Sequence, residues 1–257
     1  MDFKGQWVAF VTILMKEVRR FTRIWPQTLL PPAITITLYF IIFGTLIGPR
    51  IGNMSGLAYI EFVVPGLIMM SVITNSYGNV VSSFFGAKMH RSIEEILVSP
   101  VPNYILLLGY VMGGVLRGLS VGSIVTCLSL FFTDLEVHNF TITILIIILA
   151  SLLFSLTGFI NAIFANNFDD ISIIPVFVLT PLTYLGGVFY SIKMLTEFWQ
   201  NISMVNPILY MVNAFRYGLL GVTDIDVSWA FIIVISLCIF LFYYSLYLLN
   251  KGKRLRA

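Results

Sequence analysis

The side chains that do covalent or metal chemistry are few. The chain has two histidines, His90 and His138, and two cysteines, Cys127 and Cys238. Each histidine lies in a polar break between long apolar runs, and the two breaks face opposite sides once those runs are read as membrane spans. They cannot share one metal site. Both cysteines fall inside apolar runs, where packing is the ordinary reading and a disulfide framework is not expected. The phosphate-gripping pattern G-x-x-x-x-G-K-[ST] is missing, and the lone Gly-Lys pair, Gly252-Lys253, has no loop around it. No ATP hydrolysis, cofactor, metal or nucleic acid is therefore expected on this chain, and no Ser/His/Asp or Cys/His set assembles within one compartment.

What remains is charge in unusual places. Arg117 sits in the middle of the apolar stretch GYVMGGVLRGLSVG. A central arginine costs about +2.5 to +3.5 kcal/mol on insertion scales, so it should face the protein interior or a watery path. A structural arginine bonded to carbonyls of a neighbouring helix is the competing reading. Gly109, Gly113, Gly114, Gly118 and Gly122 recur around it at spacings that allow close helix packing. Asp169 and Asp170 open another apolar run, where capping of free N–H groups is the first expectation and a partner contact the second. Pro65, Pro175 and Pro181 interrupt spans and should kink them.

The elements that must hold these residues follow from composition. Of 257 residues, 58% are hydrophobic and 11% charged, with a mean hydropathy of +0.95. A soluble core cannot hide that much apolar surface, whereas a bilayer demands helices of ~20 apolar residues. An all-α polytopic membrane protein is predicted, one transmembrane domain over 1–257. Its six-span core covers 28–250, with spans near 28–47, 59–83, 104–132, 140–164, 171–190 and 228–249. Residues 5–25 carry Trp7, Phe10, Val11, Leu14, Val18, Phe21 and Trp25 at helical spacing beside Lys16, Arg19, Arg20 and Arg23. That pattern predicts an amphipathic helix lying on the membrane. No cleavable leader is expected there.

Lysine and arginine set the orientation. With the N-terminus inside, the inner segments hold eleven of the fifteen, among them Lys253, Arg254 and Arg256 of the tail, and the outer segments hold Arg50, Lys193 and Arg216. Both termini are thus expected to be cytoplasmic. Between spans five and six, two apolar patches of about ten residues break at Asn206-Pro207. Each is too short to cross, which points to an outward re-entrant helical hairpin.

One inner segment stands out. Residues 87–102 read AKMHRSIEEILVSPVP. About three amphipathic turns, stopped by Pro100 and Pro102, would form a rigid knob between two spans. An ordinary solvated loop is the alternative.

At this point the residues resemble a family. RSIEEILVSPVPNYILLLGYV (91–111) is similar to the cytoplasmic coupling helix and following span of ABC-2 type transporter permeases. YIEFVVPGLIMM (59–70) is similar to the family's second span. Residues 181–190, PLTYLGGVFY, resemble its "PL..LGG.FY" segment. Asn206, Pro207 and Tyr210, with Arg216 six residues further on, resemble its "NP..Y.....R" element. One departure is visible: Leu195 is followed by Thr196-Glu197-Phe198-Trp199, where the family often has Leu-Pro.

The resemblance implies a half-transporter: a homodimer in the bacterial inner membrane, docked on two copies of an ATP-binding subunit that holds ATP and magnesium. It would move an amphiphilic, lipid-linked, polysaccharide or drug-like substrate outward. Lys88, Arg91, Glu94, Glu95 and Ile96 would form the ATPase contact. Tyr39, Phe40, Arg117, Tyr184, Phe189 and Tyr190 are candidates for the pathway, with interfacial anchoring the alternative for the aromatic members. Trp199, Asn206, Pro207, Tyr210 and Arg216 would build the outer hairpin. A different class stays open, an ATP-independent channel or scaffold subunit, although no segment resembles a selectivity filter.

Overall fold

The computed structural model describes residues 1–252; Lys253, Arg254 and Arg256 of the basic tail lie outside the described residues. Helix α1 (Phe3–Arg23) starts at Asp2, whose carboxylate accepts the Gly5 N–H at 3.0 Å. Helix α2 covers Trp25–Ile51. It is α-helical to Ile41, π-helical over Ile42–Ile47 and α-helical again over Gly48–Ile51. A two-residue hairpin, Asn53–Met54 with Leu57–Ala58, leads into α3 (Tyr59–Met89). The knob is α4 (Ser92–Val98), two turns where about three are expected. Then come α5 (Asn103–Ser129) and α6 (Phe140–Phe164).

Helix α7 runs over 168–184, with a π-helical stretch at Pro175–Leu179. Proline removes an N–H from the ladder, and the local widening falls where that donor is missing. Asn167 caps α7 by accepting the Asp170 N–H, and the Asp170 carboxylate accepts the Asn166 N–H, both at 2.8 Å. Asp170 thus serves as a cap partner. After the turn at Gly187 (φ +69°) come a short 3-10 turn, α8 (Glu197–Met204), α9 (Pro207–Leu220) and α10 (Val227–Lys251).

Among the described residues five helices, α2, α3, α5, α6 and α10, are long and apolar enough to cross a membrane. The span expected at 171–190 is the shorter α7, which stops at Tyr184 ahead of the Gly186-Gly187 turn. Pro65 leaves α3 unbroken from Tyr59 to Met89.

The core gathers on α3, which packs along α5 and α6, with α9 closing one end. The glycines of α5 permit these approaches. A Cβ at Gly113 would sit 2.5 Å from the Glu17 Cβ of α1, and one at Gly118 would collide with Ser76 of α3. One edge of the stripe therefore seats α1 and the other seats α3.

On α1, the face against the protein is Ile13, Glu17 and Phe21. Trp7 and Trp25 are exposed, so the predicted apolar stripe divides, with only Phe21 of that set buried. Glu17 is fully buried. It accepts the Ser83 hydroxyl at 2.6 Å and pairs with Arg20 at 3.5 Å. Arg20 in turn donates to the carbonyl and side chain of Asn79, both at 2.8 Å. A buried acid with these partners locks the helix in register on α3.

Candidate functional site

Three places carry the residues singled out by sequence. The first is the knob. Ile93 is completely buried and roots α4 beneath α3. Arg91 takes a left-handed conformation, φ +58°, which turns the chain sharply from α3 into α4. That conformation costs a non-glycine residue about 1–2 kcal/mol. Arg91 and Glu95 are exposed and Glu94 is partly so. Ile96 packs partly against the core. Lys88 lies apart from this surface. It is buried, and its Nζ donates to the Ile163 and Ala165 carbonyls, both at 2.8 Å, at the C-terminus of α6. An ammonium among the last carbonyls of a helix is well placed against their partial negative charge. The outward residues of α4 and of the turn before it are thus Arg91, Glu94, Glu95 and Val98. Sequence reasoning missed Val98, which is 87% exposed; its signal was an apolar residue on the polar side of so short a helix.

The second place surrounds Arg117. A cleft of about 340 Å³ opens between the first half of α2, α3 and α5; its lining includes Pro31, Thr35, Met70, Asn75 and Arg117. Arg117 donates one hydrogen bond, 3.3 Å to the Asn75 side-chain oxygen, and its buried Nε has no acceptor. A smaller cleft of about 130 Å³ lies between α3 and α7 and shares Met70 and Thr74 with the first. Tyr184 lines it.

The third place lies at the other end of α3 from the knob. Tyr39, Phe43, Tyr59, Tyr184 and Phe189 form a chain of ring contacts, closest between Phe43 and Phe189 at 5.0 Å. The Tyr59 hydroxyl donates to the Phe189 carbonyl at 3.0 Å. Tyr190 is half-buried just after this cluster. Phe40 turns away from it, fully buried against Phe132 at 5.4 Å, because one helical position rotates a side chain by about 100°.

Behind the rings the two sequence segments clasp each other. Asn206 caps α9 by accepting the Ile208 N–H and donates to the Leu182 carbonyl at 2.6 Å. Pro207 takes the first helical position, which suits its missing N–H. Arg216 is buried, lies 3.8 Å above the Phe62 ring and donates to the Phe62 carbonyl (3.2 Å) and the Gly187 carbonyl (2.7 Å). It is a structural bolt between α9, α3 and the Gly187 turn. Asp224 completes the clasp, accepting from Ser191 at 2.8 Å and from the Ile192 N–H. The Tyr210 hydroxyl donates to the Met204 carbonyl at 2.7 Å, holding α8 to α9. Trp199 is exposed on α8, packed edge-on to Phe198.

Comparison with known proteins bears on this arrangement. Residues 8–220 match the family model of the ABC-2 type transporter. The chain is 55% identical over 251 residues to the inner membrane transport permease YadH of Escherichia coli (strain K12), covering 98% of each chain. It is 23% identical over 255 residues to nodulation protein J of Neorhizobium galegae, covering 95% of this chain and 93% of that protein.

Proposed function

This chain belongs to the ABC-2 type transporter family, and from that premise we propose that it is the permease half of an ATP-driven exporter of the bacterial inner membrane. Two copies pair across the membrane, both termini face the cytoplasm, and two copies of a separate ATP-binding subunit dock beneath α4. The cargo is an amphiphilic, lipid-linked, polysaccharide or drug-like compound. ATP and magnesium act on the partner subunit.

The observation that carries this reading is the knob. Helix α4 is rooted by Ile93 and offers Arg91, Glu94, Glu95 and Val98 outward. A short helix fixed at its base and charged at its surface transmits a push to the helices on either side. Pairing is supported by α2 and α7, which lie loosely on their own chain and leave Leu38, Ile42, Val176 and Phe177 uncovered. The re-entrant reading of α8 and α9 is supported by their shortness and by the break at Asn206-Pro207.

The test is reversal of charge, Glu94→Lys with Glu95→Lys. Gentle purification from native membranes should yield the wild-type chain with an ATP-binding subunit in equal amount. The double variant should remain a folded dimer, retain at least tenfold less of that subunit and lose nucleotide-driven export. Undiminished retention in a folded double variant overturns the docking surface. A lone dimer that conducts without nucleotide would favour the channel reading instead.

A further inference from the structure

The cleft beside Arg117 is the one place among the described residues where a mid-span cation lacks an anionic partner. Ion pairs among the described residues include Arg20–Glu17 and Lys193–Asp224. Arg117 takes part in neither. Its single hydrogen bond goes to a neutral amide, and its Nε has no acceptor. A guanidinium offers five donors in a rigid fork suited to phosphate or carboxylate. At this depth an unpaired charge is costly enough that a counter-ion would bind with advantage.

The walls say what carries that counter-ion. Beside Arg117, Asn75 and Gln27 the lining is prolines, Ile36, Met70 and hydroxyl residues, and the Thr28, Ser71 and Thr74 hydroxyls are already committed to backbone carbonyls. Met70 and Thr74 also line the second cleft, whose other walls are Pro175, Val176, Leu179, Tyr184 and two threonines with hydroxyls committed to the Pro175 and Leu179 carbonyls. A charged cleft beside a more apolar one matches a head group and the start of a tail.

We propose that the cleft between α2, α3 and α5 binds the phosphate or carboxylate head group of an amphiphile, with Arg117 as its counter-ion and the α3–α7 cleft receiving the start of its tail. This deepens the transport reading, and so rests on it, by naming the head-group chemistry of the cargo.

The experiment measures binding without nucleotide, so that a failure of the ATP-driven reading leaves it intact. The whole chain is placed in phosphatidylcholine nanodiscs and titrated with fluorescent lysophosphatidic acid and with fluorescent monoacylglycerol, each against empty discs. Wild type should bind lysophosphatidic acid saturably and at least tenfold more tightly than monoacylglycerol. Arg117→Gln should erase that preference, and Arg117→Lys should keep most of it. Thr35→Trp narrows the cleft while keeping the arginine in the chain and should weaken lysophosphatidic acid binding in a protein whose thermal midpoint is unchanged. Inorganic phosphate at millimolar levels should compete poorly. If it competes fully, the site serves a soluble anion and the amphiphile proposal is wrong. An equal preference in wild type and Arg117→Gln, with Thr35→Trp also without effect, overturns the site altogether.

Discussion

Helices α2 and α3 follow each other in the chain, and both are long enough to cross a bilayer. Yet 78% of the residues in the apolar stretch of α3 are buried, against 11% in α2. The difference runs opposite to apolarity. Helix α3 carries Ser71, Asn75, Ser76, Asn79 and Ser83 into the interior, while α2 exposes Ile34, Leu38, Ile41, Ile42 and Leu46. Between helices in lipid there is little hydrophobic drive, since lipid tails are as apolar as leucine; small and polar side chains allow close packing and hydrogen bonds. The centre of this protein is held by shape and polar links, and α2, although more apolar than α3, is held the more loosely. Helices α2 and α7 each contain a π-helical stretch, a feature frequent at functional sites.

That contrast can be broken at either end. The largest effect is expected from Arg216→Ala. It empties a buried site and orphans the Phe62 and Gly187 carbonyls, and should cost roughly 3 kcal/mol of stability in bicelles. A loss near zero would mean the outer clasp is ornamental. Next comes Gly113→Val, which drives a side chain into Glu17 and should cost about 1–3 kcal/mol. Limited proteolysis should show α1 released before the other helices. The smallest effect on the fold is expected from Leu38→Ala with Phe177→Ala on the loose pair, about 0.5 kcal/mol or less for each. Those two changes should nonetheless reduce the dimer fraction measured by crosslinking. A strong loss of monomer stability there would erase the distinction between packed and loose helices.

Much of the helical plan was legible beforehand, since length, apolarity, proline and the Asn206-Pro207 break act locally. The glycines of α5 announced a close approach, although their spacing did not say that one edge meets α1 and the other α3. The buried Glu17 was hidden among surface charges of α1. Its signal was the set Ile13, Glu17, Phe21, an acid standing in line with two apolar residues four apart. Lys88 and Phe40 were placed by sequence on functional surfaces and turn inward instead. One helical position separates an outward side chain from an inward one, and pattern alone does not fix that rotation over a single turn. The shortness of α7 depends on the Gly187 turn and its grip on α3, which are matters of tertiary contact.

The inward-turned Lys88 changes the machinery of the knob. Its ammonium clamps the end of α6, and a few residues away Phe85 meets Phe168, at the head of α7, edge-on at 5.1 Å. The root of α4 is thus a bracket bolted to three helix ends rather than a hinge between two. A load applied to α4 would therefore reach the ends of α6 and α7 as well as α3 through these contacts.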